Sequence, residues 1–357
     1  MKILLISPPW ISVPPKGYGG IEWVVSLLSD ELAKRGHDVT LFATGDSETK
    51  AKLKYAFEAG QTSKLGTLSA TMYDSMQVSE AFKIADEFEI VHDNSGFLTV
   101  AFSHKVKRPI LHTLHGPFTS DTKLFYAHFK DAVYYNAISE YQRNSLPILN
   151  YVDTIYNAID VHNYPYSEEK EDYLIMVSRV CPIKGTHLAI RVAKELGERL
   201  ILIGKVDLKD MDYFNEMVKP QVDGKQIVFT GEIDEDEKRR LLKHAKCFIF
   251  PIQWAEPFGL VMAEAMACGT PVVAIRNGAS PEVVKDGKTG FIVDTIEEMV
   301  DAVKNIGRIN PRACREHVLA NFSPEVMADN YERNYRKILG DNDRYIRFAG
   351  TANSKSA

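Results

Sequence analysis

No run in this 357-residue sequence approaches the ~20 consecutive apolar residues that a membrane-spanning helix needs. The opening stretch Lys2-Ile3-Leu4-Leu5-Ile6-Ser7 is short and soon meets prolines. It is too brief for the apolar part of a secretory signal and reads as a buried first strand. Cysteine is scarce: Cys181, Cys247, Cys268 and Cys314 form no C-x-x-C pair. That spacing argues against a disulfide frame or a zinc knuckle and suggests reduced thiols in a cytoplasmic protein. A peripheral place at the inner face of a membrane stays open. Positive charge is not in excess either. A net charge of −5 and a pI near 6.1 argue against a nucleic-acid footprint. No G-x-G-x-x-G follows a strand, which disfavours a dinucleotide-dependent oxidoreductase. No His, Asp or Glu cluster has metal-ligand spacing, so no metal is expected. Asp341-Asn342-Asp343 has the letters of a D-x-D motif but falls past the last helical pattern and reads as solvated charge.

What is present is a long alternation of short apolar runs and helical patterns, the signal of parallel sheets built from βαβ units. The first series of strands is expected at 2–7, 38–43, 90–92, 110–115, 132–138 and 154–156, with a helix from Gly20 to about Arg35. A polar stretch, Asp160 to Lys170, reads as a linker. The second series is expected at 173–177, 200–203, 227–229, 247–251, 271–274 and 290–293, with helices at 186–196, 234–246 and 260–267. The length suits two domains. The expected fold class is α/β, with two doubly wound Rossmann-like domains facing a cleft. The expected boundaries are 1–165, 166–322, a C-terminal helix 323–340 with Ser323 as N-cap and Pro324 at N1, and a mobile tail 341–357.

One segment is far richer in chemistry than the rest. In Trp254-Ala255-Glu256-Pro257-Phe258-Gly259-Leu260-Val261-Met262-Ala263-Glu264, two carboxylates flank a Pro-Phe-Gly turn that opens a helix. No Ser, Thr or Asp stands in the turn to cap that helix. The amides of Phe258, Gly259 and Leu260 are then available to an anion, as helix starts are to phosphate. Glu264 lies about 7.5 Å up the helix from Gly259, within reach of a sugar hydroxyl beside a bound diphosphate. Further upstream, Arg179 and Lys184 follow a strand and precede a helix, where two cations suit a leaving diphosphate.

The string from Glu256 through Glu264 to Ala267-Cys268-Gly269-Thr270-Pro271-Val272-Val273-Ala274, with Gly278 and Glu282 beyond, resembles the donor-site signature of glycosyltransferase family 4. That family comprises retaining enzymes of the GT-B fold. The resemblance implies that Arg179, Lys184 and the amides of Phe258–Leu260 hold a diphosphate. It implies that Glu264 binds the ribose and Glu256 the hydroxyls of the donor sugar. His115, in Leu111-His112-Thr113-Leu114-His115-Gly116-Pro117, would touch the transferred sugar from the first domain. His112, three positions earlier, should face the other way and is expected to be structural. Gly231-Glu232 would approach the base, and Gln253-Trp254 could line the sugar pocket or simply pack. Gly19 and Gly20, in Pro15-Lys16-Gly17-Tyr18-Gly19-Gly20-Ile21-Glu22, stand where the family has a loop near the donor phosphate; by itself the stretch reads equally as a tight turn. Ala158 replaces a glycine usual in the family.

The resemblance implies a hexosyltransferase that uses a nucleotide-diphospho-sugar as co-substrate, UDP-sugars favoured, and no separate cofactor. Domain closure would assemble the site, with the first domain on the acceptor side, the second on the donor side, and the C-terminal helix crossing back. The acceptor, whether sugar, lipid or small molecule, is not legible, nor is the oligomeric state. Residues 118–135 mix aromatics with Lys123, His128 and Lys130; they could line an acceptor pocket, touch lipid, or form an ordinary packed helix. Two alternatives remain: a 2-epimerase-like nucleotide-sugar enzyme and a non-catalytic nucleotide-sugar-binding protein.

Overall fold

The computed structural model describes residues 1–17 and 19–352, with side chains described to residue 340. The chain forms two compact units: Met1–Ala158 with the segment from Pro324 onward, and Ile159–Ser323.

The first unit is built on seven strands: β1 (Lys2–Ile6), β2 (Asp38–Ala43), β3 (Lys52–Tyr55), β4 (Ile90–Asp93), β5 (Ile110–Leu114), β6 (Tyr134–Ala137) and β7 (Tyr151–Thr154). They pair in parallel in the order β3-β2-β1-β4-β5-β6-β7. Ile3, Leu4, Leu5 and Ile6 are all fully buried, as expected of a strand covered on both faces. The helix Gly20–Lys34 buries Val24, Val25, Leu28 and Leu32, the helical spacing read from the sequence.

Two differences from the sequence reading concern strands. β3, Lys-Leu-Lys-Tyr, was not expected. It is a mostly exposed edge strand, and its charged composition suits an edge while hiding the apolar alternation that marks a strand. The last strand lies at Tyr151–Thr154, not 154–156; Ile155 still donates its amide to Ala137, so pairing continues just past it.

The second unit carries β8 (Glu171–Val177), β9 (Arg199–Ile203), β10 (Ile227–Gly231), β11 (Ala245–Phe250), β12 (Val272–Ile275) and β13 (Gly290–Val293), parallel in the order β10-β9-β8-β11-β12-β13. Its strand order reverses between β8 and β11, and ligands of open α/β sheets sit beyond the carboxyl ends of strands at such a point. The helices Thr186–Leu196 and Leu260–Ala267 fall where expected. The four cysteines are free and buried.

The last helix runs Pro324–Ala352 and belongs to the first unit. Tyr331 and Tyr335 are fully buried there. His92 Nδ1 lies 2.7 Å from the Tyr335 hydroxyl and His92 Nε2 lies 2.8 Å from Thr113 Oγ1. Tyr331 meets Thr113 and Asn136, each at 3.1 Å. Arg35 adds ion pairs to Asp329 and Glu332. The tail expected at 341–357, with its D-x-D letters, lies outside the residues whose side chains are described, and 353–357 lie outside the description altogether, as does Tyr18. Among the described residues, no helix is long and apolar enough to cross a membrane.

Candidate functional site

The segment after β8 and the segment after β11 meet at the strand-order reversal of the second unit. Pro182–Lys184 makes one 3₁₀ turn, and Gly185 then enters the next helix at φ +75, where a Cβ would stand 2.0 Å from the Pro251 carbonyl oxygen. Only glycine allows so close an approach. The Gln253 amide donates to Ile183 O at 2.8 Å, completing the splice between the two loops. It delivers Lys184 to Glu256: Nζ to Oε2 is 2.5 Å, with both side chains mostly buried. Trp254 Nε1–H donates to the same oxygen at 3.0 Å, and the ammonium sits 5.0 Å from the indole centroid.

Glycines also set the backbone of the Glu256 turn. Gly278, at φ +58, approaches so closely that a Cβ would lie 2.2 Å from Glu256 O, and Ala279 N–H donates to that oxygen at 2.8 Å. Gly259, at φ +87, is the N-cap of Leu260–Ala267 and supplies no side chain to it. The Phe258 ring is fully buried and meets Phe322 edge-on, with centroids 5.5 Å apart. The ring of Phe258 is thus committed to packing. Glu264, one turn up the helix, pairs through Oε2 with Lys238 at 3.1 Å. Lys238 also holds Glu235 at 2.9 Å. Burial alone would lower Lys238, but Glu264 and Glu235 outweigh it, and its ammonium stands above the ordinary lysine range.

Arg179 pairs with Asp207 at 2.9 Å, and Lys205 reaches the other oxygen of the same carboxylate at 3.2 Å. The Arg179 hydrogen bond holds the Asp207 carboxyl below its usual range, against a smaller cost of burial and with help from Lys205. Gly231 closes β10 at φ +71 and accepts from the Gly204 amide at 3.0 Å; Glu232 after it is exposed. The unit thus gathers Arg179, Lys184, Glu256 and Glu264 with their counter-charges in place. Lys205, Asp207 and Lys238 went unremarked in the sequence. Lys238 follows Glu235 at a spacing shared by any surface pair on a helix, and nothing local links Asp207 to Arg179.

In the first unit, His115 follows β5 and Asn94 follows β4, with His115 Nε2 2.9 Å from Asn94 Oδ1. Burial, then the nearby His112, drives the His115 imidazole down to about 3, so the ring is neutral at neutral pH. His112 is buried against Asp93 at 2.5 Å and reaches Tyr126 at 3.1 Å; it is a packed structural residue, as its position on the strand suggested. Gly19 is the N-cap of Gly20–Lys34 with extended backbone, and a Cβ on it would meet Pro15 at 2.8 Å and Glu22 Oε2 at 2.9 Å. Glu22 is itself buried, and desolvation raises its pKa. The aromatic stretch forms the helix Ser120–His128, with Tyr126 buried and Phe125 and Phe129 packed on the core. Among the described residues, no three His, Cys, Asp or Glu side chains group as a metal site.

Two family models match adjoining stretches: Glycosyltransferase Family 4 at residues 18–163 and Glycosyl transferases group 1 at 162–313. A putative glycosyltransferase of Bacillus subtilis, YtcC, is 24% identical over 95% of this chain and 93% of its own. The crystal structure of AviGT4, a glycosyltransferase of avilamycin A biosynthesis, superposes with a TM-score of 0.71 at 24% identity, covering 96% of this chain and 98% of that one. HepE of Anabaena, solved in complex with UDP-glucose, superposes with a TM-score of 0.72 at 16% identity, covering 94% of this chain and 100% of that one. With its two parallel sheets and both domain models matched, the chain belongs to glycosyltransferase family 4 and is a glycosyltransferase of the GT-B fold.

Proposed function

We propose that the chain transfers a hexosyl group, with retention, from a nucleotide-diphospho-sugar to a hydroxyl of a sugar, lipid or small-molecule acceptor, UDP being the favoured nucleotide. The observation that carries the reading is the Lys184–Glu256–Trp254 cluster beside a helix start that no side chain caps. Arg179 and Lys184 neutralise the diphosphate as it leaves, and the amides of Phe258, Gly259 and Leu260 receive its oxygens. Glu264, held by Lys238, takes the ribose hydroxyls, while Glu256 takes those of the sugar. Gly231 and Glu232 approach the base. His115, neutral and aligned by Asn94, touches the transferred sugar, and the loop at Gly19 and Gly20 serves the donor phosphate. The departing phosphate assists deprotonation of the acceptor on the same face of the sugar, a course that comes with the family. The nucleotide sugar is the co-substrate, with no separate cofactor.

The test is calorimetry and thermal shift with UDP-, GDP- and ADP-glucose on the wild type and Glu264→Ala, followed by product analysis with and without acceptors. A ligand at 100 times its dissociation constant adds about 2.7 kcal/mol of stability. The reading requires one nucleotide to stabilise the wild type, the variant to lose that effect, and sugar to appear on an acceptor. An isomerised nucleotide sugar formed without acceptor would identify an epimerase instead.

A further inference from the structure

The helix Glu235–His244 also carries Asp236, Arg239, Arg240 and Lys243 at helical spacing, on a face other than that of Leu241 and Leu242, which are buried. Along it runs a cavity of about 330 Å³, lined by Asn163 and Pro165 and, from the helix, by the acidic Asp236 together with Arg239, Arg240, Lys243 and His244. Basic residues near the end of a helix ordinarily answer its exposed carbonyls and dipole. Here those carbonyls are already occupied. Leu241 O accepts from the Tyr173 hydroxyl at 2.7 Å, Leu242 O from Thr270 Oγ1 at 2.5 Å, and Lys243 O from the Lys170 ammonium at 2.7 Å. The basic side chains are therefore not needed as caps.

Nor are most of them committed to acids. Arg240 is bound to Glu237 through two hydrogen bonds of 2.6 and 2.7 Å. Arg239 has only a loose 3.8 Å contact with the fully exposed Asp236. Its guanidinium lies over the Tyr164 ring at 5.1 Å, and its Nε is buried with no hydrogen-bond partner. A buried N–H of a cation without a hydrogen-bond partner is costly, so this guanidinium is not satisfied within the chain. Among the described residues, Lys243 and His244 have no ion-pair partner. The basic end of the cavity adjoins the amino ends of β8 and β11, which pair at Glu171 and Ala245. Lys184 and Glu256 lie beyond the carboxyl ends of those same strands, so this basic end of the cavity is at the opposite end of the strands from that pair.

We propose that this cavity is an anion site for the phosphoryl group of a small ligand, with Arg239 and Lys243 as its principal contacts. A planar guanidinium and a point-charge ammonium together suit the tetrahedral array of phosphoryl oxygens. The volume is at the lower end of small-molecule sites, which favours a sugar phosphate or free phosphate over a nucleotide. The site does not depend on which donor the enzyme uses.

Isothermal titration with inorganic phosphate and with glucose 1-phosphate tests this on four full-length chains: wild type, Lys184→Ala, Lys243→Gln and Arg239→Gln. The expected result is binding to wild type and to Lys184→Ala alike, weakened about tenfold or more in the other two, the cost of a charged hydrogen bond. Because Arg239 also packs on Tyr164, Lys243→Gln is the deciding variant. A preference for glucose 1-phosphate identifies an ester as the ligand, and a preference for phosphate the free ion. The proposal is overturned if neither probe binds at millimolar concentration, if Lys184→Ala abolishes binding, or if Lys243→Gln binds as tightly as wild type.

Discussion

Lys184 Nζ and Glu256 Oε2 stand 2.5 Å apart, although 72 residues separate them in the chain. Each belongs to a different loop at the carboxyl end of the second sheet, and each neutralises the other in a setting where an unpaired charge is expensive. Donor binding would recast this pair: the ammonium would turn to phosphate and the carboxylate to sugar hydroxyls, with little of the scaffold having to move.

Lys184→Ala removes the cation and leaves Glu256 with the Trp254 indole alone. Loss of one preorganised electrostatic contact of this kind costs about 10²–10³-fold in turnover. We expect kcat/KM with the preferred donor to fall by that order while far-UV circular dichroism stays unchanged. A variant within a factor of three of wild type would remove Lys184 from the reaction.

Gly278→Ala tests the backbone under Glu256. The new methyl would sit 2.2 Å from Glu256 O in a left-handed residue, so the turn must shift. Strain of this sort costs about 1–3 kcal/mol, and the displaced carboxylate should weaken donor binding as well. Gly287→Ala is the control, since Gly287 shares the backbone region at φ +69 but has nothing near its Cβ position; it should lose some stability and keep donor affinity.

Stability should fall in acid through the buried histidines of the first unit. Burial, then His115, pushes His92 down to about 3, and burial, then His112, brings His115 to a similar value. Unfolded histidine titrates near 6.5. A group depressed in the folded state adds stability above that value and loses it as pH drops toward 3, at about 1.4 kcal/mol per pH unit for each proton taken up only on unfolding. Asp74 works in the opposite direction: burial, then Asp93, raises it to about 7, so its contribution is favourable below pH 4 and is lost between 4 and 7. Urea unfolding of the wild type and of Asp74→Asn from pH 4 to 8 separates the two. The variant should gain most at pH 8, and its stability should decline more steeply below pH 6.5.

Tyr335→Phe deletes the hydroxyl that meets His92 Nδ1 at 2.7 Å and leaves a buried nitrogen without its partner. The expected cost is about 1–3 kcal/mol. Hydrogen exchange should locate it in β4 and in the helix that begins at Pro324, with the strands of the second unit unaffected. Equal loss of protection in both units would contradict the placement of this helix.

Much of the geometry of the proposed donor site was legible because it is local. Glu256, Gly259 and Glu264 lie within one turn and one short helix, so their spacing carries their geometry. Buried strands such as β1 and β13 were legible because burial on both faces forces a continuous apolar run. The edge strand β3 was not, since its exposed lysines erase that signal. The long-range partners were not legible either: the Asp207 carboxylate reaches Arg179 across 28 residues and the Tyr335 hydroxyl reaches His92 across 243.

By itself, then, the sequence determined most of the element types, the α/β class of two parallel sheets and the uncapped start of the helix at Leu260, because period, turn chemistry and helix starts are short-range properties. The tertiary structure alone decided which charges neutralise which, that His112 packs against Asp93 while His115 meets Asn94, and which cationic side chains among the described residues have no ion-pair partner. Those are properties of parallel sheets, whose crossovers bring distant loops to one edge, and no short-range pattern records which loops will meet there.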